Sequence, residues 1–186
     1  MSRLLVRGRS VAVLLLLLAA ALGVLSATQP WGSALLTDGR ALAVTGQELA
    51  SGVTIMSLSL AVLALVLPIA GIAWRFILGA LAAILGAGLI AHVLGTRGGI
   101  LAALDARVAE ATGIAGSGQA AEIVELAVHG WPALGVASGA IAIAAGLWVG
   151  GSARSWPARA PRAARYERTG SGLAWDAMDD GEDPTR

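Results

Sequence analysis

The chain has 186 residues, of which 56% are hydrophobic and 13% are charged, roughly half the charged fraction of an ordinary soluble domain. It contains no cysteine, which excludes disulfides and thiolate metal sites. The formal net charge of +1 says little by itself, because the charges lie between long apolar stretches. Those stretches are residues 11–27, 53–73, 76–94 and 131–149.

Each stretch is close to the ~20 residues with which an α-helix crosses a hydrocarbon layer about 30 Å thick. None has an ionisable residue near its middle, where a charge would be costly. We therefore predict an all-α membrane protein with four transmembrane helices, a hairpin-like first outer loop, a partly helical second outer loop and a mostly disordered cytoplasmic tail. The predicted segments are an N-terminus (1–10), TM1 (11–27), outer loop 1 (28–52), TM2 (53–73), a turn (74–75), TM3 (76–94), outer loop 2 (95–130), TM4 (131–149) and the tail (150–186).

Arginine is concentrated in the N-terminus, at Arg75 and in the tail, whereas the acidic residues outside the tail lie in the two longer loops. By the positive-inside rule both termini and the 74–75 turn are cytoplasmic, and the protein lies in the cell (plasma) membrane. A cleaved signal peptide ending at Ala27 is the alternative, and it would leave three spans. Leu25, three residues before that cut, fits a cleavage site poorly.

The first outer loop begins with Pro30, which stops the preceding helix. Residues 34–36 and 41–44 flank an Asp-Gly pair and predict a short hairpin. Thr45 and Glu48 then have the spacing of a capping box, which starts a helix leading into the second span. Pro68 is expected to bend that span.

In the second outer loop Ile100, Leu104 and Val108 share one helical face, which predicts a helix at the membrane surface or capping the bundle. Residues 113–118 are rich in glycine and end it. We expect a second short helix over residues 119–128.

Small residues indicate how the spans pack. In the third span Gly79, Ala83 and Ala87 repeat every four positions, and Gly135 and Gly139 form a G-x-x-x-G match in the fourth. Such residues let helix backbones approach closely in lipid. The alternative is that an Ala- and Gly-rich composition produces these matches by chance.

Four tryptophans stand near the ends of the apolar stretches. Trp31 and Trp131 fall at the outer boundary, and Trp74 and Trp148 at the inner one. The pattern is typical of an aromatic belt that anchors helix ends at the headgroup level.

The sequence predicts no catalytic residue, cofactor or metal site. His92 and His129 are the two histidines, and they are too few for a zinc site without nearby carboxylates. Sequence motifs of phosphate-binding loops, zinc proteases and hydrolase nucleophile elbows are missing from the chain.

The tail combines five arginines within residues 154–168 with an acidic end. The arginines should attract anionic lipid headgroups. The acidic end is either a solvated charged segment or a short helix that docks on a cytoplasmic protein. The docking residues would be Trp175, Met178, Asp179 and Asp183.

Several of these segments match a known pattern. The segments are Gln29-Pro30-Trp31, Val44-Thr45-Gly46-Gln47-Glu48-Leu49, Trp74-Arg75 with the following Leu78–Leu81, and the closing Ala174–Asp179 and Gly181–Thr185. With them the chain resembles the actinobacterial tryptophan-associated transmembrane proteins, small four-span proteins encoded beside tryptophan-biosynthesis genes. Gln29 and Met178 depart from the family's usual Arg and Leu. The resemblance implies a link to tryptophan metabolism, and the family brings no established activity or catalytic residues.

We therefore expect a non-enzymatic accessory or scaffold protein associated with tryptophan biosynthesis. The alternative is an exporter of tryptophan or a precursor, which would need an oligomer because one four-helix protomer encloses little room. The expected partners are the lipid bilayer, anionic headgroups, a cytoplasmic protein at the tail and further copies of the chain, but not nucleic acid.

Overall fold

The computed structural model describes residues 8–114 and 116–156. The elements in chain order are α1 (Gly8–Thr28), β1 (Pro30–Leu36), β2 (Ala41–Thr45), α2 (Ser51–Val66), α3 (Ile72–Arg97), α4 (Ile100–Thr112), β3 (Ile123–Val128) and α5 (Pro132–Ser152). Shorter helical turns cover Gly46–Leu49, Leu67–Ile69, Gly116–Glu122 and Ala153–Ser155.

Among the described residues, four helical segments are long and apolar enough to cross a membrane: α1, α2 with the 3₁₀ turn that continues it to Ile69, α3, and α5 with the turn that continues it to Ser155. They confirm the predicted four spans, and we call them the bundle. The remaining elements β1, β2, β3 and α4 form a cap. Its first two strands connect α1 to α2, and α4 with β3 connects α3 to α5. The bundle therefore has a cap end and an opposite end, the hairpin end, where α2 passes to α3.

Helix α5 lies at the centre of the packing, because it contacts both α3 and α1 extensively, while α1 also contacts α2. The sequence neighbours α2 and α3 form a looser pair. Small residues of α5 fill the contacts, among them Gly135, Ser138 and Gly139, which are all buried. Close backbone approach thus replaces the hydrophobic driving force that is absent between helices in lipid.

The connection between α2 and α3 lies earlier than predicted. Regular α-helix ends at Val66, and Pro68 stands in the 3₁₀ turn that follows it. Because proline has no N–H to continue the ladder, it ends the helix here instead of bending it. The chain reverses at Ala70 and Gly71, and Trp74 and Arg75 belong to the first turns of α3. The prediction that residues 74–75 form the turn is therefore wrong.

Strands β1 and β2 form the predicted hairpin, with Ala34 opposite Leu42 and Gly32 opposite Val44. The turn contains Gly39 at φ 84°, a left-handed conformation that glycine adopts without strain. Thr45 then caps the turn Gly46–Leu49, and the capping box with Glu48 is complete. The hairpin and the capping box were correctly predicted, but the capped helix does not run straight into the second span, because it breaks at Ala50 and α2 begins anew at Ser51.

Strand β3 is the main correction to the predicted loops, since we expected a short helix over residues 119–128. Residues 116–122 form a 3₁₀ turn and residues 123–128 an antiparallel strand beside β1, which gives the sheet order β2-β1-β3. An apolar stretch this short does not distinguish helix from strand by periodicity. Residues 123–128 form a strand because the backbone N–H and C=O groups on the free edge of β1 need hydrogen-bond partners.

Helix α4 covers one face of the sheet with the predicted residues Ile100, Leu104 and Val108, all of which are buried. It rests on β1 and β2, so the helix is part of a two-layer cap. Gly32 permits this contact, because a Cβ there would lie 2.7 Å from Ile100 Cγ2 and 2.8 Å from Leu104 Cδ1. The helix ends at Gly113, whose φ of 72° is again left-handed.

Candidate functional site

Two sequence motifs that lie 13 or more residues apart meet around Trp31, where the cap joins the bundle. The Trp31 side chain is 0% exposed, and its Nε1 donates a hydrogen bond to the Ser26 carbonyl oxygen at 2.9 Å. The ring rests on Gly46, where a Cβ would lie 2.5 Å from Nε1. Only a residue without a side chain fits beneath the indole. We call this contact of Trp31, Ser26 and Gly46 the junction.

The burial of Trp31 overturns its assignment as a lipid-interface anchor. An interface tryptophan keeps its N–H near the headgroups, whereas this indole is enclosed and satisfied by a backbone carbonyl. The one sequence feature related to the burial of Trp31 is Gly46 in the second motif. No local pattern predicts that Gly46 contacts the indole ring.

Glu48 connects the junction to helix α4. Its Oε2 accepts a hydrogen bond from the Thr45 backbone N–H at 3.0 Å, and its Oε1 lies 3.0 Å from Arg107 Nη2. The Thr45 N–H and then the Arg107 guanidinium hold the pKa of Glu48 below its usual range. One carboxylate therefore caps the helical turn before α2 and pairs with the cap.

The two histidines have different partners. His129 donates its backbone N–H to the Trp31 carbonyl at 2.9 Å, and its Nε2 lies 3.0 Å from Ser33 Oγ. His92 Nε2 is buried without a hydrogen-bond partner among the described residues and packs against Gly52 at the start of α2. Within residues 8–114 and 116–156 no group of three potential metal ligands comes together.

The bundle contacts partly match the predicted small residues. Gly79 faces Gly146, and Gly86 faces Gly139, where a Cβ would lie 2.5 Å from the Gly86 carbonyl oxygen. Gly135 lies against Val93 and Ser26, and Ala83 contacts Gly146. Gly86 was missing from our predicted set.

Ala87 is exposed, so its prediction as a packing residue is wrong. A spacing of four residues advances about 40° beyond a full turn of an α-helix, so two such steps place Ala87 about 80° away from Gly79 and off the contact face. The buried residues of α3 are instead separated by three and four positions in turn: Gly79, Ala82, Gly86, Leu89 and Val93.

At the hairpin end a buried arginine joins two helix ends. Arg75 is 6% exposed, and it donates from Nε to the Ala70 carbonyl at 3.1 Å and from Nη1 to the Ala153 carbonyl at 3.3 Å. Its guanidinium lies 5.2 Å from the centroid of the Trp156 ring. Carbonyl groups at helix C-termini and an aromatic face both stabilise a cation, so Arg75 needs no carboxylate here.

The other predicted anchors divide into two kinds. Trp148 Nε1 donates to the Gly8 carbonyl at 3.1 Å, which ties α5 to the start of α1. Trp74 is 61% exposed and Trp131 37% exposed, so their side chains are free to meet headgroups. The predicted docking residues Trp175, Met178, Asp179 and Asp183, and the Arg-rich tail beyond Trp156, lie outside the described residues.

The four membrane-length helices found in the described part of the chain, together with a folded cap, define a multi-pass transmembrane protein. The family model of the tryptophan-associated transmembrane proteins matches residues 13–185, nearly the whole chain. The chain therefore belongs to the tryptophan-associated transmembrane protein family. No curated protein and no solved structure matches it.

Proposed function

We propose that this protein is a non-enzymatic accessory of tryptophan biosynthesis, which holds a cytoplasmic protein at the cell membrane. The association with tryptophan comes from the family to which the chain belongs. The accessory role is inferred from the close packing of the bundle. The recruiting segment is assigned to the tail.

The single observation that supports an accessory role is the close contact of helix backbones inside the bundle. At Gly86 and Gly139 a Cβ on either residue would lie 2.6 or 2.5 Å from the other's carbonyl oxygen. The buried hydroxyls of Ser57 and Ser138 donate to carbonyls, at 2.7 Å to Val53 and 2.6 Å to Ala19. An interior that is filled in this way favours a structural role over a path for a solute.

The arrangement of charge supports a cytoplasmic hairpin end. In the described residues the arginines of the cap, Arg40 and Arg107, pair with Asp38 and Glu48. Within the described ranges Arg9, Arg75 and Arg154 lie towards the hairpin end without an acidic partner, whereas Arg97 is the one such arginine at the cap end. Unpaired positive charge is what the cytoplasmic side of a membrane protein accumulates. The chain leaves α5 at this same end and continues into the tail.

The tail supplies the recruiting segment of this proposal. Arginines between residues 154 and 168 would hold its first part near anionic headgroups, and the acidic end would project away from them. Trp175 and Met178 would share one face of a short helix formed on binding, with Asp179 and Asp183 among its acidic residues. Because such ordering costs several kcal/mol, binding should be weak and depend on the tryptophan.

Two measurements test this function. Pull-downs from membranes should recover a tryptophan-biosynthesis enzyme with the intact chain, but not with Trp175→Ala or with a chain truncated after Ser171. A Trp131→Ala variant is the matched control and should recover the same partner as the intact chain. Identical partners from every variant would contradict recruitment by the tail.

Transport is the second measurement. Vesicles that contain the purified protein should take up labelled tryptophan no faster than protein-free vesicles. Uptake that depends on the protein would show an exporter instead of an accessory.

A further inference from the structure

A lateral cleft of about 510 Å³ lies between α1 and α2 in the membrane-spanning part of the bundle. Its lining residues are Leu17, Ala20, Ala21, Val24, Leu25, Thr28, Leu58 and Ala61. The volume lies within the range of sites that hold small molecules. Gly23 brings the two helices together beside the cleft, since a Cβ there would collide with the Ser57 hydroxyl. The small side chains of Ala20, Ala21 and Ala61 leave the adjacent space unfilled.

The lining restricts what can occupy the cleft. Among the described residues that line the cleft, Thr28 provides the only side-chain hydroxyl, and that group already donates to the Leu25 carbonyl of its own helix at 3.1 Å. An amino-acid zwitterion such as tryptophan would leave its ammonium and carboxylate groups without partners, which is costly in an apolar environment. The chemistry of the cleft therefore favours a purely hydrocarbon occupant.

The position of the cleft restricts the occupant further. Its residues on α1 extend from Leu17 to Thr28 at the cap end, a rise of about 17 Å at about 1.5 Å per residue. Half of a hydrocarbon layer about 30 Å thick is about 15 Å. The cleft thus extends along the hydrocarbon depth of a single leaflet, and its length matches an extended chain that enters from the cap side.

We propose that this cleft binds one acyl chain of a phospholipid from the leaflet on the cap side. The chain fills the space beside Gly23 and completes the contact between α1 and α2. This site is separate from the proposed recruiting tail, which begins at the other end of the bundle.

The direct test uses the intact wild-type protein, delipidated and reconstituted with a small excess of phosphatidylglycerol whose acyl chain carries a photoreactive diazirine. We expect crosslinks to be concentrated at Leu17, Leu25 and Leu58. Leu65 and Ile84 are exposed by 70% and 67% on other parts of the bundle and serve as internal controls. Crosslinks spread evenly over the cleft and these controls would overturn the proposal.

Filling the cleft provides the second test. Ala21→Leu and Ala61→Leu should lower the number of slowly exchanging spin-labelled phosphatidylglycerol molecules per protein, whereas Ala80→Leu on the exposed surface of α3 should not. Equal numbers in all the variants would overturn the proposal. So would efficient disulfide formation between two copies of Ala21→Cys, because a second copy would then occupy the cleft.

Discussion

At the scale of single residues, Trp31 shows how burial changes the role of a side chain. Its position after the first span is typical of an interface anchor, yet the indole is enclosed between Ser26 and Gly46. Its backbone carbonyl also accepts the His129 N–H, so the residue touches the bundle, the helical turn before α2 and the segment after β3. Trp31 therefore helps to fix the cap on the bundle.

Replacing Trp31 with alanine should destabilise the protein by about 3–5 kcal/mol, because a large buried ring and its hydrogen bond are lost. Trp74→Ala is the matched control, since Trp74 is 61% exposed, and it should change stability by no more than about 0.5 kcal/mol. Thermal unfolding in detergent measures both. Equal effects of the two substitutions would contradict the structural role of Trp31.

Glu48 makes the attachment of the cap dependent on pH. Its pKa is lowered in the folded protein, first by the Thr45 N–H and then by Arg107, so the carboxylate contributes stability above its ordinary pKa of 4.5. That contribution is lost as the pH falls through the lowered value. We expect the protection of the α4 backbone amides from hydrogen exchange, measured relative to their intrinsic exchange rates at each pH, to fall below that pH in the wild type.

In Glu48→Gln this acid-dependent change should be absent, and exchange in α4 should be faster already at neutral pH. Glu110→Gln, which changes an exposed carboxylate of the same helix, should behave as the wild type. The effect will be modest, because 46% of the Glu48 side chain is exposed and solvent screens its ion pair. An unchanged pH profile in Glu48→Gln would contradict this role.

At the scale of elements, α3 and α5 are held together by glycines that face each other across the contact. Gly86→Leu or Gly139→Leu should separate the helices and lower the midpoint of thermal unfolding strongly, since each new side chain meets a backbone carbonyl. The neighbouring Ala87→Leu should have little effect, because Ala87 is exposed. If the Ala87 variant were as unstable as the glycine variants, the assigned contact face would be wrong.

The sequence was sufficient for the elements whose signals are local. Apolar length predicted the four spans, the Asp-Gly pair predicted the hairpin, and the spacing of Ile100, Leu104 and Val108 predicted the buried face of α4. Strand β3 could not be predicted in this way, because its conformation depends on pairing with a distant strand. The turn after α2 was misplaced because a polar Arg75 indicated a boundary, while the structure buries that arginine against carbonyls and Trp156.

In the candidate site, too, local features could be predicted from the sequence and contacts between distant residues could not. Thr45 and Glu48 were recognisable as a capping box from four consecutive residues. The contact of Trp31 with Gly46 and the pairing of Glu48 with Arg107 join residues that are far apart in the sequence. Those contacts depend on how the cap folds over the bundle, and no local pattern of residues predicts them.

At the scale of the whole molecule, the two ends of the bundle differ in charge and structure. The described acidic residues lie at the cap end of the bundle, while the hairpin end has Arg9, Arg75 and Arg154. We propose that the cap faces outwards and that the hairpin end and the tail face the cytoplasm. Recruitment of a cytoplasmic protein by the tail requires this orientation.

Because the natural chain has no cysteine, single cysteines can report the orientation in intact cells with a membrane-impermeant maleimide. Glu110→Cys in the cap should be labelled without permeabilisation. Gly71→Cys, where a new side chain meets open space, and Arg186→Cys should be labelled only after the membrane is opened. Labelling of Gly71→Cys and Arg186→Cys in intact cells, with Glu110→Cys protected, would contradict the proposed orientation and the recruiting role of the tail.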